Sequence, residues 1–478
     1  MNKVKITTII LTIIAITIIA LGGIYIKDGN TFKNIVKEYE FSKDINGTRN
    51  IVIGVNTGTK TLIKDKDGKI VTDAGELNDE QLKEKGYIKE EKNINPQEML
   101  NKENYQKSKE IIRKRLEKMQ IGDYNIRLDE ETGAILVELP EDETTDVVAG
   151  VLNSNGKFEL IDAQTQETLM NNNDIKKVSV MYGQGQASQL GQVPGTTVYI
   201  NIEFNKEGAN KIKEISTNYK AIEKPEENPE EKPEEKPEEN KEEIPEKKVT
   251  LKIDDEEIMT QAFEETIETG NIQLSVGAAV TDQNALNENI KRASNIAIAL
   301  DSGALPINYS VSEQEFISSD IDKDMLNIIK YSFIIATALI SLILIVKYKT
   351  NGIIGAISYM GLLATLTLVI KYTNVIISID GMFAVAITIA LNYLLIIKLL
   401  KIYKENKNEK EKIKNKVTEL YELFLIKIIP VCITVIALCF INWIPISSFG
   451  MIMFWGILLI FVYNMIITNT LLKIKAEK

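Results

Sequence analysis

Histidine is absent from all 478 residues. That absence excludes Ser-His-Asp and Cys-His nucleophilic sites, His-ligated zinc and an imidazole pH switch. Cysteine is scarce: Cys432 and Cys439 are the whole supply, and both sit in one apolar run. Seven residues apart on a helix, they stand roughly 10 Å apart at ~1.5 Å rise per residue. This exceeds the Cα span of a disulfide, so neither a disulfide framework nor a metal cluster is expected. No nucleophile–base pair is visible, so the chain is not expected to be an enzyme, and no catalytic residue, metal or cofactor is assigned. Excess positive charge is also missing. The formal net charge is −11, the wrong sign for a nucleic-acid binder.

What the chain does have is long apolar runs. The mean hydropathy of −0.06 averages two unlike materials. After MNKVK comes ITTIILTIIAITIIALGGIYI, about 20 apolar or small residues, enough to cross a ~30 Å hydrocarbon core. A cleaved signal peptide would want a shorter apolar core and an A-x-A-like site, so residues 1–26 read as a retained membrane helix. Further runs cover 325–346, 353–370, 375–397, 428–444 and 449–472, making six spanning helices in all. Lysine sets the orientation. Two Lys lie in the 347–349 turn, nine lie in 398–427, and the tail ends KIKAEK. The loops near 371–374 and 443–447 are short and poor in Lys. The positive-inside rule then puts both termini, the Lys-rich loop 398–427 and the tail 473–478 in the cytoplasm. Residues 27–324 lie outside, as a water-soluble domain.

That domain shows both periods. Residues 104–119 place Ile111, Ile112, the Arg115 stem, Leu116 and Met119 on one helical face. Residues 123–128 and 134–139 alternate around a turn at 131–133. Strands are expected at 157–162, 197–204, 249–253 and 273–276, and Asn205 can cap a helix over 207–219. Residues 281–299 form a helix with Leu286, Ile290, Ala293 and Ala297 aligned. The fold class is α+β. Two loops stand out. Residues 183–195 are rich in Gly and Gln and low in charge. Residues 223–248 repeat a Pro-Glu-Glu tetrad, with Pro225, Pro229, Pro233 and Pro237 four apart. Proline at that period breaks helix and sheet, which reads as an extended, solvated insertion, either a spacer or an acidic arm that binds cations or a partner.

Several segments together resemble the SecD family. Leu300-Asp301-Ser302-Gly303-Ala304-Leu305-Pro306 is similar to the family's L-x-S-G-A-L-P before the second membrane helix. Ile112-Arg113-Lys114-Arg115-Leu116, with Val137-Glu138-Leu139-Pro140, resembles its I-R-x-R-(V/L) … V-E-L-P run. Residues 157–160 and 202–209 match two more segments. Ile53-Gly54-Val55-Asn56-Thr57-Gly58 is a worn form of G-L-D-L-x-G-G. The resemblance spans essentially the whole chain in order and spacing. It implies a polytopic α-helical membrane protein, half of an RND-type transporter. It also implies a large extracytoplasmic domain divided into a base (27–155 and 286–324) and a head (156–285). The implied job is that of an accessory subunit of the Sec export machinery in the cell membrane. It would bind emerging unfolded preprotein and promote its translocation or release. The implied partners are a SecF-like protein, the SecY/SecE/SecG channel, the SecA motor and the lipid bilayer. The competing reading is an RND-type exporter half for a lipid or small molecule.

The residues given roles follow from these segments. Gly54 and Gly58 are expected to permit backbone turns forbidden to other residues. Gly303 and Pro306 would set the chain direction near the membrane, and Ser302, Ala304 and Leu305 complete the same motif as structural residues. Arg113 and Arg115 suit either a bidentate carboxylate contact within the base or a solvated helix face. Proton coupling needs an ionisable intramembrane group, and here the chain departs from the family. Its fourth-helix D-A-N pattern becomes Ala390-Leu391-Asn392 in one register and Leu394-Leu395-Ile396 in another. Asp380 is the carboxylate left in the apolar runs. It is read either as a relocated proton site or as an interfacial residue at a helix start. Asn392, Thr434, Asn464, Thr468 and Asn469 can form interhelical hydrogen bonds but cannot release a proton near neutrality.

Overall fold

The computed structural model describes residues 2–28, 31–66, 71, 78–142, 144–186, 194–221, 247–319, 321, 323–407 and 409–476. The acidic insertion at 223–248 therefore lies outside the described residues except for Lys247 and Lys248. The chain forms two compact units: residues 1–49, 139–142 and 316–478 in one, residues 50–138 and 143–315 in the other.

The first unit opens with helix α1 (Asn2–Gly22). A hairpin of β1 (Tyr25–Asp28) and β2 (Thr31–Asn34) follows, then the short strand β3 (Glu40–Phe41) and one turn of helix, α2 (Lys43–Asn46).

The second unit is α+β. From Asn50 it takes most of β4 (Thr48–Val55), then the hairpin β5 (Thr59–Lys64)–β6 (Ile88–Asn93), with α3 (Asp79–Glu84) between the hairpin strands. Helix α4 (Lys102–Lys118) starts where Asn101 accepts from Asn104 N at 3.0 Å, and buries Tyr105, Ser108, Ile112, Arg115 and Leu116 at helical spacing. Next come β7 (Asn125–Leu128), β8 (Ile135–Pro140) and α5 (Thr145–Asn153). Along β8, Ile135, Val137 and Leu139 are buried while alternate residues are not, the period-2 pattern of a half-buried strand. The middle of the unit holds β9 (Phe158–Asp162), β10 (Thr168–Asn171), β11 (Ile175–Gln186), β12 (Pro194–Phe204) and α6 (Lys206–Asn218). It continues with β13 (Val249–Ile253), β14 (Glu256–Gln261), β15 (Asn271–Val280), α7 (Gln283–Ser302) and β16 (Tyr309–Ile317). The sheets are ordered β16-β4-β8-β7, β10-β9-β13-β14 and β11-β12-β15. Asn205 caps α6 as expected, accepting from Glu207 N and Gly208 N. Phe158, Leu160, Val198, Ile200, Ile212, Leu251, Ala293 and Ala297 share one core. The two alanines let α7 lie close on the strands. Each large side chain there contributes about 1.5–3 kcal/mol of burial.

Two sequence expectations need correction in this unit. The 183–195 segment is not simply a loop: β11 runs to Gln186 and β12 starts at Pro194, paired antiparallel, and residues 187–193 lie outside the described residues. Gly54 and Gly58 do not adopt positive φ. Gly54 lies inside β4, with Ser312 Oγ 3.3 Å from where a Cβ would stand, so close approach of a neighbouring strand, not a turn, favours glycine there.

The first unit resumes with α8 (Lys323–Tyr348), α9 (Thr350–Tyr372), strand β17 (Ile376–Ile377), α10 (Ile379–Glu405), α11 (Lys410–Cys439) and α12 (Ile444–Phe461). A π-helical stretch, Val462–Thr468, passes without a break into α13 (Asn469–Ala476). Among the described residues, five helical segments are long and apolar enough to cross a membrane: 324–348, 350–372, 379–405, 410–439 and 444–476. The apolar part of α1, Ile6–Gly22, is shorter than these. Helices α8 and α11 expose Ile334, Leu339, Leu342, Ile433 and Ile436, the apolar exposure of a bundle that faces lipid or another bundle. The Lys-rich stretch 398–427 is helix rather than loop apart from the corner between Glu405 and Lys410. Lys and Glu are good helix formers, and Ile413, Val417 and Tyr421 give α11 a buried stripe.

Candidate functional site

The bundle interior holds a polar layer built from several helices. Asn392 on α10 and Asn464 in the π-helical stretch are each 1% exposed. Asn464 Nδ2 donates to Asn392 Oδ1 at 2.7 Å and to Ile460 O at 3.0 Å. Asn392 Nδ2 and Asn464 Oδ1 have no partner among the described residues. The π turn sits within this layer: Asn464 O accepts from Asn469 N, five residues on. Tyr421 OH on α11 donates to Asn464 O at 2.8 Å, and Ser358 on α9 shares a 2.5 Å hydrogen bond with Thr468. Tyr359 OH donates to Ile389 O at 3.1 Å, and Tyr403 OH to Asn469 Oδ1 at 2.7 Å. Every group in this layer is an amide or hydroxyl. It can hold helices in register but offers no carboxylate or ammonium to carry a proton.

The remaining intramembrane residues stand apart from that layer. Asp380 is exposed in the first turn of α10, beside the N-cap Ser378, whose Oγ accepts from Gly381 N at 3.0 Å. An acidic side chain in the first turn complements the helix dipole. Thr434 is exposed and donates to Pro430 O of its own helix at 3.1 Å, so it makes no interhelical bond. The N-terminus of α10 is also held by Asp44, which accepts from Ile379 N at 2.9 Å.

In the α+β unit the resemblance motifs converge on residues 151–156. Arg115 is fully buried, and its Nη1 donates to Val151 O at 3.0 Å and to Ser154 O. Burial pushes its guanidinium down to about 10, opposed by the charge of Asp254. Its partners are carbonyls, so neither the carboxylate contact nor the solvated face expected for it is found. Arg113 is exposed and pairs with Glu110 one turn away. A bidentate Arg–carboxylate contact does occur, elsewhere in the chain: Arg49 holds Glu141 through Nε and Nη2, both at 2.7 Å. At the end of α7, Asp301 accepts from Val178 N at 2.8 Å and pairs with Lys118. Ser302 Oγ donates to Ile298 O at 2.6 Å, and Gly303 ends the helix at φ +96°. Ala304 and Pro306 flank the buried Leu305, whose N donates to Asn155 O at 2.8 Å. These residues tie α4, α5 and α7 together.

No family model matches the chain. Curated relatives do. A protein translocase subunit SecD of Acidaminococcus fermentans is 20% identical over 257 residues, which is 54% of this chain and 51% of the relative. The SecD subunit of Dictyoglomus turgidum is 20% identical over 368 residues, 76% of this chain and 80% of the relative. The chain thus spans about half the length of the first of these relatives. Among solved structures, the crystal structure of SecDF in its super-membrane-facing form matches 100% of this chain and 57% of its own chain, with a TM-score of 0.52 and 14% identity. Membrane-length helices joined to a large α+β unit define a multi-pass membrane protein of the SecDF fold. Within that class the chain is SecD-like.

Proposed function

We propose that the chain is the SecD-type half of a protein-export accessory complex. The observation that carries this is the match of a SecDF structure along the full length of the chain, supported by the order of the motif segments. In this reading α1 supplies the sixth span, both termini are cytoplasmic, and the α+β unit works on the outer face as a base and a head. That unit binds unfolded preprotein as it emerges and promotes its translocation or release without altering a covalent bond. Exposed Met181 and Tyr182 on β11, an edge strand of its sheet, offer apolar surface and backbone pairing to an extended chain. A SecF-like chain supplies the second half, and the pair works beside the SecY/SecE/SecG channel and the SecA motor. The amide and hydroxyl layer around Asn392 gives this half no proton carrier of its own, so either the partner supplies one or the complex acts without proton drive.

Depletion of the chain followed by pulse-chase labelling of a secreted protein tests the reading. Precursor should accumulate and mature product should fall, with recovery on re-expression. Normal export kinetics under depletion, or cytosolic protease access to residues 100–300, would refute it.

A further inference from the structure

One surface of the helical unit carries more positive charge than its internal ion pairs, Lys401–Glu405 and Lys412–Glu409, offset. Segments 347–351, 398–422 and 473–476 hold twelve Lys and five Glu, within a chain whose net charge is −11. The helices bring several of these ammonium groups to one corner. Lys347 ends α8 and Lys404 lies near the end of α10, yet each Nζ is 5.6 Å from the centroid of the Tyr348 ring. Lys404 Nζ also donates to Lys347 O at 3.0 Å, which fixes two like charges near each other. Lys475 on α13 reaches Thr350 Oγ1 and, at 2.6 Å, Asn351 Oδ1 in the first turn of α9. Lys407 is close enough to repel it.

The electrostatics of this corner are unfavourable by themselves. A helix N-terminus carries positive partial charge and prefers an anion, but the start of α9 is met by Lys475. Lys349, at the N-cap of α9, adds another exposed ammonium and a left-handed backbone at φ 51°. Among the described residues, Lys347, Lys349, Lys404, Lys407 and Lys475 have no carboxylate partner. Glu405 is taken by Lys401 at 3.7 Å. Both α8 and α9 are membrane-length helices that meet at this turn, so the corner lies at headgroup level.

We propose that this corner is a docking surface for the headgroups of anionic phospholipids. Charge complementarity and depth both select that occupant. A row of lysines at the mouth of apolar helices meets lipid phosphates that are already concentrated there, whereas a soluble anion or nucleic acid would have to arrive from water. The bound headgroups neutralise the corner and anchor the end of α8 to the start of α9. This does not depend on the export reading.

The test uses the full chain in neutral-detergent micelles doped with phosphatidylglycerol, phosphatidylcholine or inorganic phosphate. Retained lipid is read by native mass spectrometry and the unfolding midpoint by intrinsic fluorescence. Phosphatidylglycerol should stay bound and raise the midpoint, with both effects fading at high salt. Phosphatidylcholine and inorganic phosphate should do neither. The triple variant Lys347→Gln/Lys404→Gln/Lys475→Gln should bind phosphatidylglycerol about a hundredfold more weakly. The triple Arg variant should bind at least as tightly as the parent, because charge is retained and guanidinium suits phosphate. Removing Lys83, Lys114 and Lys291 from the α+β unit should change nothing. Equal response to phosphatidylcholine or phosphate, or equal loss in the α+β variant, would overturn the proposal. If the Gln triple does not fold, the lipid and salt comparison on the parent chain decides alone.

Discussion

Asn464 in the π-helical stretch donates to Asn392 on α10 at 2.7 Å, with both side chains 1% exposed. The bond joins two helices far apart in sequence, within the buried polar layer that Ser358, Thr468 and Tyr421 complete. Asn392→Ala and Asn464→Ala should each lower stability, and the double variant should fall short of the sum. The coupling should be about 0.6–1.7 kcal/mol, the range of hydrogen bonds between membrane helices. Unfolding in mixed micelles measures it. Strict additivity would mean the amides act independently.

Glycine at two positions near the convergence of α4, α5 and α7 should respond differently to a methyl group. Gly303 and Gly156 both have positive φ, at +96° and +67°. A Cβ on Gly303 meets nothing within 4 Å, whereas one on Gly156 would lie 2.6 Å from Ala299 O and 2.8 Å from Arg115 Nη2. Gly303→Ala should therefore cost only backbone strain, about 1–2 kcal/mol. Gly156→Ala should cost clearly more, because the backbone of α7 and a buried guanidinium must both move. Denaturant midpoints rank the two, and the reverse order would contradict this packing.

Much of this arrangement was legible in the sequence, and the misses have physical causes. The Asn residues at 392 and 464 announce themselves as amides interrupting apolar runs, where polarity is costly. Ser358, Tyr359 and Tyr421, which complete the layer, do not, because hydroxyls and phenols are common on apolar helical faces. The π-helical turn leaves no periodic trace over so few residues. Strands β3 and β17 pair Glu40 with Ile376 and Phe41 with Ile377, a two-residue match across most of the chain that no local pattern encodes. Arg113 and Arg115 are two apart on α4, so they face different ways. Only one of them could be the buried residue, and their spacing does not say what it would touch. Lys and Glu in 398–427 signalled solvent, but their helix propensity proved as informative as their charge.

Alkaline pH should loosen the α+β unit through two hydrogen-bonded phenols, one buried and one half-buried. Tyr309 OH donates to Gly133 O at 3.1 Å, and desolvation pushes its phenol up to about 12. Tyr219 is also pushed up to about 12, by desolvation and by its 2.6 Å bond to Asp162. The unfolded value is about 10, so the fold favours the protonated form. Stability from both groups is fully present below about pH 10 and is lost as pH rises through about 12. Tyr309→Phe should lower neutral-pH stability by about 0.5–1.5 kcal/mol and flatten the alkaline limb. Tyr309→Phe/Tyr219→Phe should flatten it further. Unfolding curves taken across that alkaline range check the slopes, and an unchanged limb in the double variant would remove these phenols as its cause.

The placement of Asp380 separates its two readings. A proton carrier must pass between water and a secluded partner, and its charge must be felt by groups that move. Asp380 is exposed at the start of α10, where its carboxylate complements the helix dipole and stands apart from the amide layer. Asp380→Asn should therefore leave the gradient dependence of export unchanged, at a stability cost of about 0.3–1 kcal/mol for the lost dipole complement. Thr434→Val should be similarly quiet, since that hydroxyl bonds only within its own helix. Secretion measured in inverted or whole-cell systems, with and without a proton gradient, compares the variants with the parent. Export in Asp380→Asn that no longer responds to the gradient would make this residue the proton carrier and would place the coupling site in the first turn of α10.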